Sequence, residues 1–401
     1  MSSLPLKAIN QLRDLRGEVE VLVGIPTYNC AHTILYVLYN AAKGLSEHFP
    51  SIPKAILISD GGSNDGTLQA AKALKMPEGT HRVLFEYKGA KGKGSALKAV
   101  MEAAEILGAE AIALVDSDIR SIRPEWMRLL LKPVLKGCGL VTPLYKRHKY
   151  DGNITNHLCY PLTYGVYGMD IRQPIGGDFG LSRRLIADLL QSPLWSIRYV
   201  HEFGIDIFIT HSAISLGYRV EQAFLGSKLH EVKDPAVDLK PMFIQVSGSM
   251  FQCMKSYHSY WSEAKGIARP IIYKMDLSFP EPEPVKITPE AQRVVAKEVL
   301  REKTPILKSF MPPELMESLM RFELDDGTWC KIVYHIASTF AKSWDQSLLE
   351  LLYGAWLGRV AYYVEESKDA SAEDAELLIK REAETFREYK SYLKEIFPST
   401  R

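Results

Sequence analysis

Between residues 18 and 107 the chain alternates short apolar runs with stretches of helical spacing, and no other feature narrows the fold as far. Residues 18–29 read E-V-E-V-L-V-G-I-P-T-Y-N, a buried strand that stops at Pro26 and polar residues, and residues 31–42 read as the helix that follows. A second apolar run, K-A-I-L-I-S-D at residues 54–60, closes on the glycine-rich segment 61–67 and leads into helical spacing over 68–74. Residues 82–87 read as a third strand and 94–107 as another helix. Such a βαβαβα order favours a mostly parallel, doubly wound α/β sheet.

Next comes I-A-L-V-D-S-D-I, residues 112–119, an apolar run ending in two aspartates spaced i, i+2. If the strand continues through them, both carboxylates point to one side at its C-terminal end, where open α/β sheets place their ligands. Two hard oxygen ligands at that place suit Mg²⁺ or Mn²⁺ carrying a diphosphate.

With 46% hydrophobic and 24% charged residues over 401 positions, the composition is that of a water-soluble globular protein. A formal net charge of +1 gives no field of one sign to attract nucleic acid or a membrane surface. Five scattered cysteines without Cys-x-x-Cys spacing read as free thiols in a reducing, cytoplasmic setting. No segment reads as a signal peptide or a membrane span. Beyond about residue 236 the spacing is mostly helical, broken at Thr304-Pro305, Met311-Pro312-Pro313 and Asp325-Asp326-Gly327, with residues 279–284 an extended, proline-rich connector. The expected organisation is therefore a nucleotide-binding α/β domain over 1–235 and a helical domain over 236–401. The aromatic residues Trp344, Tyr353, Trp356 and Tyr362 suit core packing or a homodimer interface better than a sugar platform.

Several shorter motifs carry chemistry. Lys91-Gly92-Lys93-Gly94-Ser95 joins flexible glycines and two cations to a helix start that Ser95 is expected to cap, a combination that attracts phosphate. Gln173-Pro174-Ile175-Gly176-Gly177-Asp178 suits close approach of backbone to a ligand. Asp206 falls in the first turn of a helix, where it either satisfies the helix dipole or faces a cleft. His230, after a strand over 218–225, is either a metal ligand or a structural histidine.

Taken in order, Pro26-Thr27-Tyr28-Asn29, Ser59-Asp60-Gly61-Gly62, Lys93-Gly94-Ser95-Ala96-Leu97, Asp116-Ser117-Asp118, the Gly176-Gly177-Asp178 turn, Gly204-Ile205-Asp206-Ile207 and Lys228-Leu229-His230 resemble a known family. It is the retaining transferases of glycosyltransferase-A fold that make glucosyl-3-phosphoglycerate, glucosylglycerate and mannosylglycerate, and the resemblance covers about residues 18–235. It implies that Pro26, Tyr28, Asn29 and Asp60 hold the nucleotide's base and ribose, with Lys93 and Ser117 near its phosphates and Asp116 on the ribose or the metal's water shell. It makes Asp118 and His230 the ligands of Mg²⁺ or Mn²⁺, and Lys228 a cation facing the leaving diphosphate. Asp206 would lie near the reacting sugar, and Asp178, where the family has a glutamate, beside the sugar's hydroxyls together with Gly176 and Gly177.

The same resemblance makes Gly152, Asn153, Ile154 and Thr155 the loop for glycerate or its 3-phosphate. Asn153 stands where glucosyl-3-phosphoglycerate members carry arginine, although Lys146, Arg147, His148 and Lys149 lie just upstream. The expected substrates are a nucleotide sugar, UDP-glucose ahead of GDP-mannose, and a small acceptor. An inverting transferase of the same fold fits less well, because its Gln-x-x-Arg-Trp motif is missing; a nucleotidyltransferase or a nucleotide-sugar sensor are the other readings.

Overall fold

The structure is a computed structural model; it describes residues 2–229 and 234–398. The described chain packs as two compact units, each assembled from separate segments: Met1–Lys146, Ile175–His230 and Pro270–Pro282 form the first, and Arg147–Pro174, Glu231–Arg269 and Glu283–Arg401 the second.

The first unit is built on one eight-stranded sheet. Its strands are β1 (Val21–Thr27), β2 (Lys54–Asp60), β3 (Thr80–Glu86), β4 (Ala111–Leu114), β5 (Leu140–Lys146), β6 (Phe179–Ser182), β7 (Val220–Ser227) and β8 (Ile272–Tyr273), in spatial order β3-β2-β1-β4-β6-β5-β7-β8. All pairings are parallel except those of β6, which runs against both β4 and β5. β1 and β2 are buried along their whole length, as strands covered on both faces by helices must be. The order reverses around β1 and β4, so the crevice beyond their C-terminal ends is where such a sheet offers a ligand site.

The strand–helix alternation of the first 107 residues is present as expected, with helices Ile34–His48, Thr67–Ala73 and Lys93–Leu107 between the strands. One expectation fails at the critical point: β4 stops at Leu114, so Asp116 and Asp118 lie in a loop and not on one face of a strand. The ladder ends because, after the Val115 N–H has donated to the Gly24 carbonyl, the next N–H, that of Asp116, donates to the Asp178 carboxylate instead of to a strand neighbour. Ser95 likewise does not cap its helix, which begins at Lys93 after a Gly92 cap. Its buried hydroxyl meets His201 Nδ1 at 3.1 Å.

The second unit is mainly helical, with Lys240–Ser256, Pro289–Phe310, Asp326–Ser343, Gln346–Glu366 and Ala372–Glu388 its longest helices. Pro305 does not break its helix as expected; the helix runs through it to Phe310, with the Thr304 hydroxyl donating to the Leu300 carbonyl. Trp356 and Tyr353 are core residues, whereas Trp344 caps a helix in the left-handed region and is 43% exposed. Residues 155–159 form a π-helical turn, a rare form concentrated at functional positions. The turn is anchored by a buried charge chain: His157 Nδ1 lies 2.7 Å from Glu382, which shares the Arg359 guanidinium with Asp326 at 2.8 and 2.6 Å. All five cysteines are buried free thiols, and no described helix is long and apolar enough to cross a membrane.

Candidate active site

The loop after β4 is pinned at nearly every residue, and the pins explain its shape. Asp116 N–H donates to Asp178 Oδ1 at 3.0 Å, and the Ser117 carbonyl accepts from the Thr33 hydroxyl at 2.8 Å. Arg120 N–H donates to the Leu229 carbonyl at 2.9 Å, Leu229 N–H returns to the Ser121 hydroxyl at 3.1 Å, and the Ile122 carbonyl accepts from Tyr36. Asp118 is left exposed on this fixed loop. The two-way lacing brings the end of the Lys228-Leu229 turn against the loop that carries Asp118. His230, the second expected ligand, lies outside the described residues.

At the same edge three carboxylates and two cations converge. Lys93, at the start of its helix, places Nζ 2.8 Å from Asp116 Oδ1 and 3.3 Å from Asp206 Oδ1. Burial lowers the proton affinity of the Lys93 ammonium, but the Asp116 and Asp206 charges outweigh it and hold the group cationic, with its pKa raised. Asp206 is raised by burial and by Asp116, with Lys93 opposing both. Lys228 donates to the Gly176 carbonyl at 2.8 Å and lies over the Tyr145 ring.

Asp178 is fully buried. Its two oxygens accept from Asp116 N–H and from the Tyr145 hydroxyl. Desolvation and the Asp116 charge push its carboxyl up to about 7. Gly177 beside it has φ +87°, and a Cβ there would stand 1.8 Å from Asp116 Oδ2, so only glycine lets this turn close on the loop. Asp178 thus supports Asp116 from below, while Asp116 and Asp206 face Lys93.

The expected nucleotide-side residues gather at the ends of β1 and β2. Pro26 lies within β1, Tyr28 is 61% exposed, and Asn29 adopts φ +49°. Asn29 accepts from the Asn64 N–H, and its own N–H donates to the Ser63 hydroxyl. Asp60 is buried and accepts from Thr27, from the Ser63 hydroxyl, and from the N–H groups of Gly62 and Ser63, so it shapes the loop. The Tyr28 ring is the large exposed apolar surface at this corner.

In the second unit Gly152 has φ +74° against the Arg147 side chain, and Arg147 pairs with Asp151 at 3.1 Å. Asn153 is buried; its side-chain amide N–H donates to the Tyr150 carbonyl and its backbone carbonyl accepts from the Trp356 indole N–H. Ile154 and Thr155 are buried and lead into the π-helical turn. Sequence reasoning missed Tyr145, Ser121 and Thr33, whose positions carry no local motif, and Arg172, which bridges Glu376 and Asn156.

The residues suit a hard divalent cation in part. Among the described residues no three His, Cys, Asp or Glu side chains form a metal cage, but one exposed carboxylate on a rigid loop is a suitable anchor where a diphosphate supplies further oxygens.

Residues 22–189 match glycosyl transferase family 2. The family 2 segment runs from β1 through the Asp116-Ser117-Asp118 loop to the helix after β6. The chain is 25% identical over 279 residues to mannosylglycerate synthase of Rhodothermus marinus, covering 63% of this chain and 65% of that protein. It thus spans slightly less than two thirds of that relative's length. It is 24% identical over 260 residues to glucosyl-3-phosphoglycerate synthase of Petrotoga mobilis, covering 60% and 77%. Among solved structures it is similar to glucosyl-3-phosphoglycerate synthase of Mycobacterium tuberculosis in complex with Mn²⁺, UDP and phosphoglyceric acid, with 23% identity, 61% and 82% coverage and a TM-score of 0.47. The resemblance drawn from the sequence motifs is borne out, as is the fold class: a mostly parallel glycosyltransferase-A sheet with a helical C-terminal region.

Proposed function

We propose that the protein is a metal-dependent retaining glycosyltransferase that moves glucose from UDP-glucose to D-glycerate or 3-phosphoglycerate in compatible-solute synthesis. The observation that carries this reading is the lacing of the Asp118 loop to the Lys228-Leu229 turn, beside the Lys93-Asp116-Asp206 cluster. A loop fixed in that way offers a carboxylate to a cation and a lysine to a diphosphate, and it does so where the sheet order reverses.

In this reading Asp118, with His230, would hold Mg²⁺ or Mn²⁺, which when bound would supply charge neutralisation to the diphosphate leaving group. Tyr28, with the loop organised by Asp60 and Asn29, receives the nucleotide. Lys228 offsets charge on the leaving group, Asp116 holds the ribose or the metal's water shell, and Asp206 orients the sugar. Lys93 favours the ionised form of Asp206 against the effect of burial, and an ionised carboxylate there would stabilise positive charge developing on the sugar while the acceptor attacks from the face the diphosphate leaves. The diphosphate oxygen takes the acceptor's proton.

On the acceptor side we favour D-glycerate. The cations upstream of Gly152 are committed: Lys146 to Glu281 at 2.6 Å, Arg147 to Asp151 at 3.1 Å, and Lys149 to the carbonyls of Ser367, Lys368 and Ala370. Burial lowers the pKa of His148, favouring its neutral form, and Asn153 brings no charge. A singly charged carboxylate suits such a loop better than a phosphorylated acceptor. The similarity to a mannosylglycerate synthase supports a second reading, with GDP-mannose as donor.

The test is the anomeric configuration of the product made from UDP-glucose, D-glycerate and Mn²⁺, read from the anomeric proton coupling by NMR. An α-linked product agrees with the mechanism. A β-linked product, or labelled sugar trapped on Asp206, overturns it.

A further inference from the structure

The proline-rich segment after β8 reads from sequence as a connector, yet its first residues are built into the end of β7. That end is irregular: the pairing of β5 with β7 slips between Leu144 and Tyr145, so Leu225 is an extra residue opposite no partner and its carbonyl accepts from Trp126. Gly226 follows with φ +87°. A bulge with a left-handed glycine bends a strand end, and a bend of this kind re-aims the residues beyond it.

Phe279 fills the space over the bend. A Cβ on Gly226 would stand 2.0 Å from the Phe279 ring, so the aromatic ring rests directly on the glycine backbone. The ring is held edge-on by Phe224 at 5.5 Å and from another side by the Arg123 guanidinium at 5.0 Å. One residue on, the Pro280 carbonyl accepts from the Ser227 hydroxyl. The next residue, Glu281, pairs with Lys146 at the end of β5. Beyond Ser227 come Lys228, whose ammonium reaches the Gly176 carbonyl, and Leu229, which exchanges two hydrogen bonds with the Asp118 loop.

We propose that Phe279 and Pro280 are a strap that fixes the Ser227–Leu229 turn against the Asp118 loop, which makes Phe279 a positioning residue for metal binding. The inference rests on the metal reading given above. Phe279 acts through Gly226 and Ser227: without the ring, the bent strand end gains freedom, and the bonds of Leu229 to Arg120 and Ser121 no longer hold the Asp118 loop in one arrangement. The predicted signature is a loss of metal affinity with the chemistry intact once metal is saturating, which a purely stabilising aromatic contact would not produce.

The experiment is Mn²⁺ uptake by the full-length protein, read from the EPR signal of free Mn²⁺ with UDP present and, in a parallel series, GDP. Phe279→Ala is expected to weaken Mn²⁺ binding by about tenfold or more, the usual scale for groups that orient metal ligands from behind. Its kcat at saturating Mn²⁺ should stay within about twofold of the parent. Phe279→Leu, which refills most of the space, should recover most of the affinity. Ser227→Ala removes only the bond to Pro280 and should weaken binding several-fold, which keeps the test valid if Phe279→Ala does not fold. Parental Mn²⁺ affinity in folded Phe279→Ala, or in Ser227→Ala where Phe279→Ala is insoluble, overturns the strap. So does a loss of kcat without a loss of affinity. A parent protein that takes up no Mn²⁺ with either nucleotide overturns the metal reading itself, and the strap with it.

Discussion

Lys93 and Asp206, 113 residues apart, meet with Nζ 3.3 Å from Oδ1, and the same ammonium reaches Asp116 at 2.8 Å. The two carboxylates come from the loop after β4 and from the first turn of a later helix. Lys93 is what lets them lie together, since both are mostly buried and neither can ionise cheaply alone.

Replacing this lysine is therefore predicted to harm both stability and turnover. Lys93→Met leaves Asp116 and Asp206 without their shared cation, and removal of one partner of a buried pair costs about 3–5 kcal/mol. Denaturant unfolding should show the deficit growing as pH rises and the carboxylates ionise. Stability equal to the parent at about pH 8 would show that the cluster does not depend on Lys93.

Asp178 gives a pH signature of its own. Its folded pKa of about 7 lies above its ordinary value. Between about pH 4 and 7 the folded state holds a proton that the unfolded chain has released, so stability declines as pH rises through that window. Asp178→Asn cannot ionise, and it keeps a carbonyl for Asp116 N–H and an amide to face Tyr145. The melting temperature of the parent, relative to Asp178→Asn, should fall as pH increases. A difference that stays constant with pH would mean that Asp178 is ionised throughout.

The second unit offers a test of how the π-helical turn is held. Glu382 is fully buried between His157 and Arg359; burial raises its carboxyl, but the Arg359 guanidinium and the His157 hydrogen bond outweigh this and hold it below the ordinary range. Glu382→Gln leaves the Arg359 charge with Asp326 alone, and a loss of about 3–5 kcal/mol in unfolding free energy is expected. A change below about 1 kcal/mol would show that the network contributes little to the anchoring of residues 155–159.

Asp118 should behave in the opposite way. Because it is exposed, Asp118→Ala is expected to change stability by less than about 0.5 kcal/mol. Mn²⁺ uptake in the presence of UDP should nonetheless be lost. Retained uptake would move the metal site elsewhere.

How much of this could be read in the sequence depends on whether a feature is local. The alternation of apolar runs and helical spacing gave the order of β1 to β4 and their helices, because burial on both faces leaves a continuous Val, Leu and Ile signature. Where β4 ends was not legible: Asp116 leaves the ladder because its N–H is taken by Asp178, 62 residues later. Ser95 reads as a cap on spacing alone, and only the packing of His201 against it reveals another partner. Tyr145 shows no motif, since its role is to donate to a carboxylate brought in by the antiparallel β6 turn. Grouping of residues 147–174 with the helical unit was also beyond periodicity, because it arises from long-range contacts such as His157 with Glu382 and Trp356 with Asn153.

The most direct test of the central claim is donor consumption by the purified protein with Mn²⁺, crossing UDP-glucose and GDP-mannose with D-glycerate and 3-phosphoglycerate, beside Asp118→Ala. The account predicts turnover of UDP-glucose with D-glycerate above the other pairs, and its loss in the variant. No turnover in any of the four pairs, or turnover undiminished in Asp118→Ala, would contradict it.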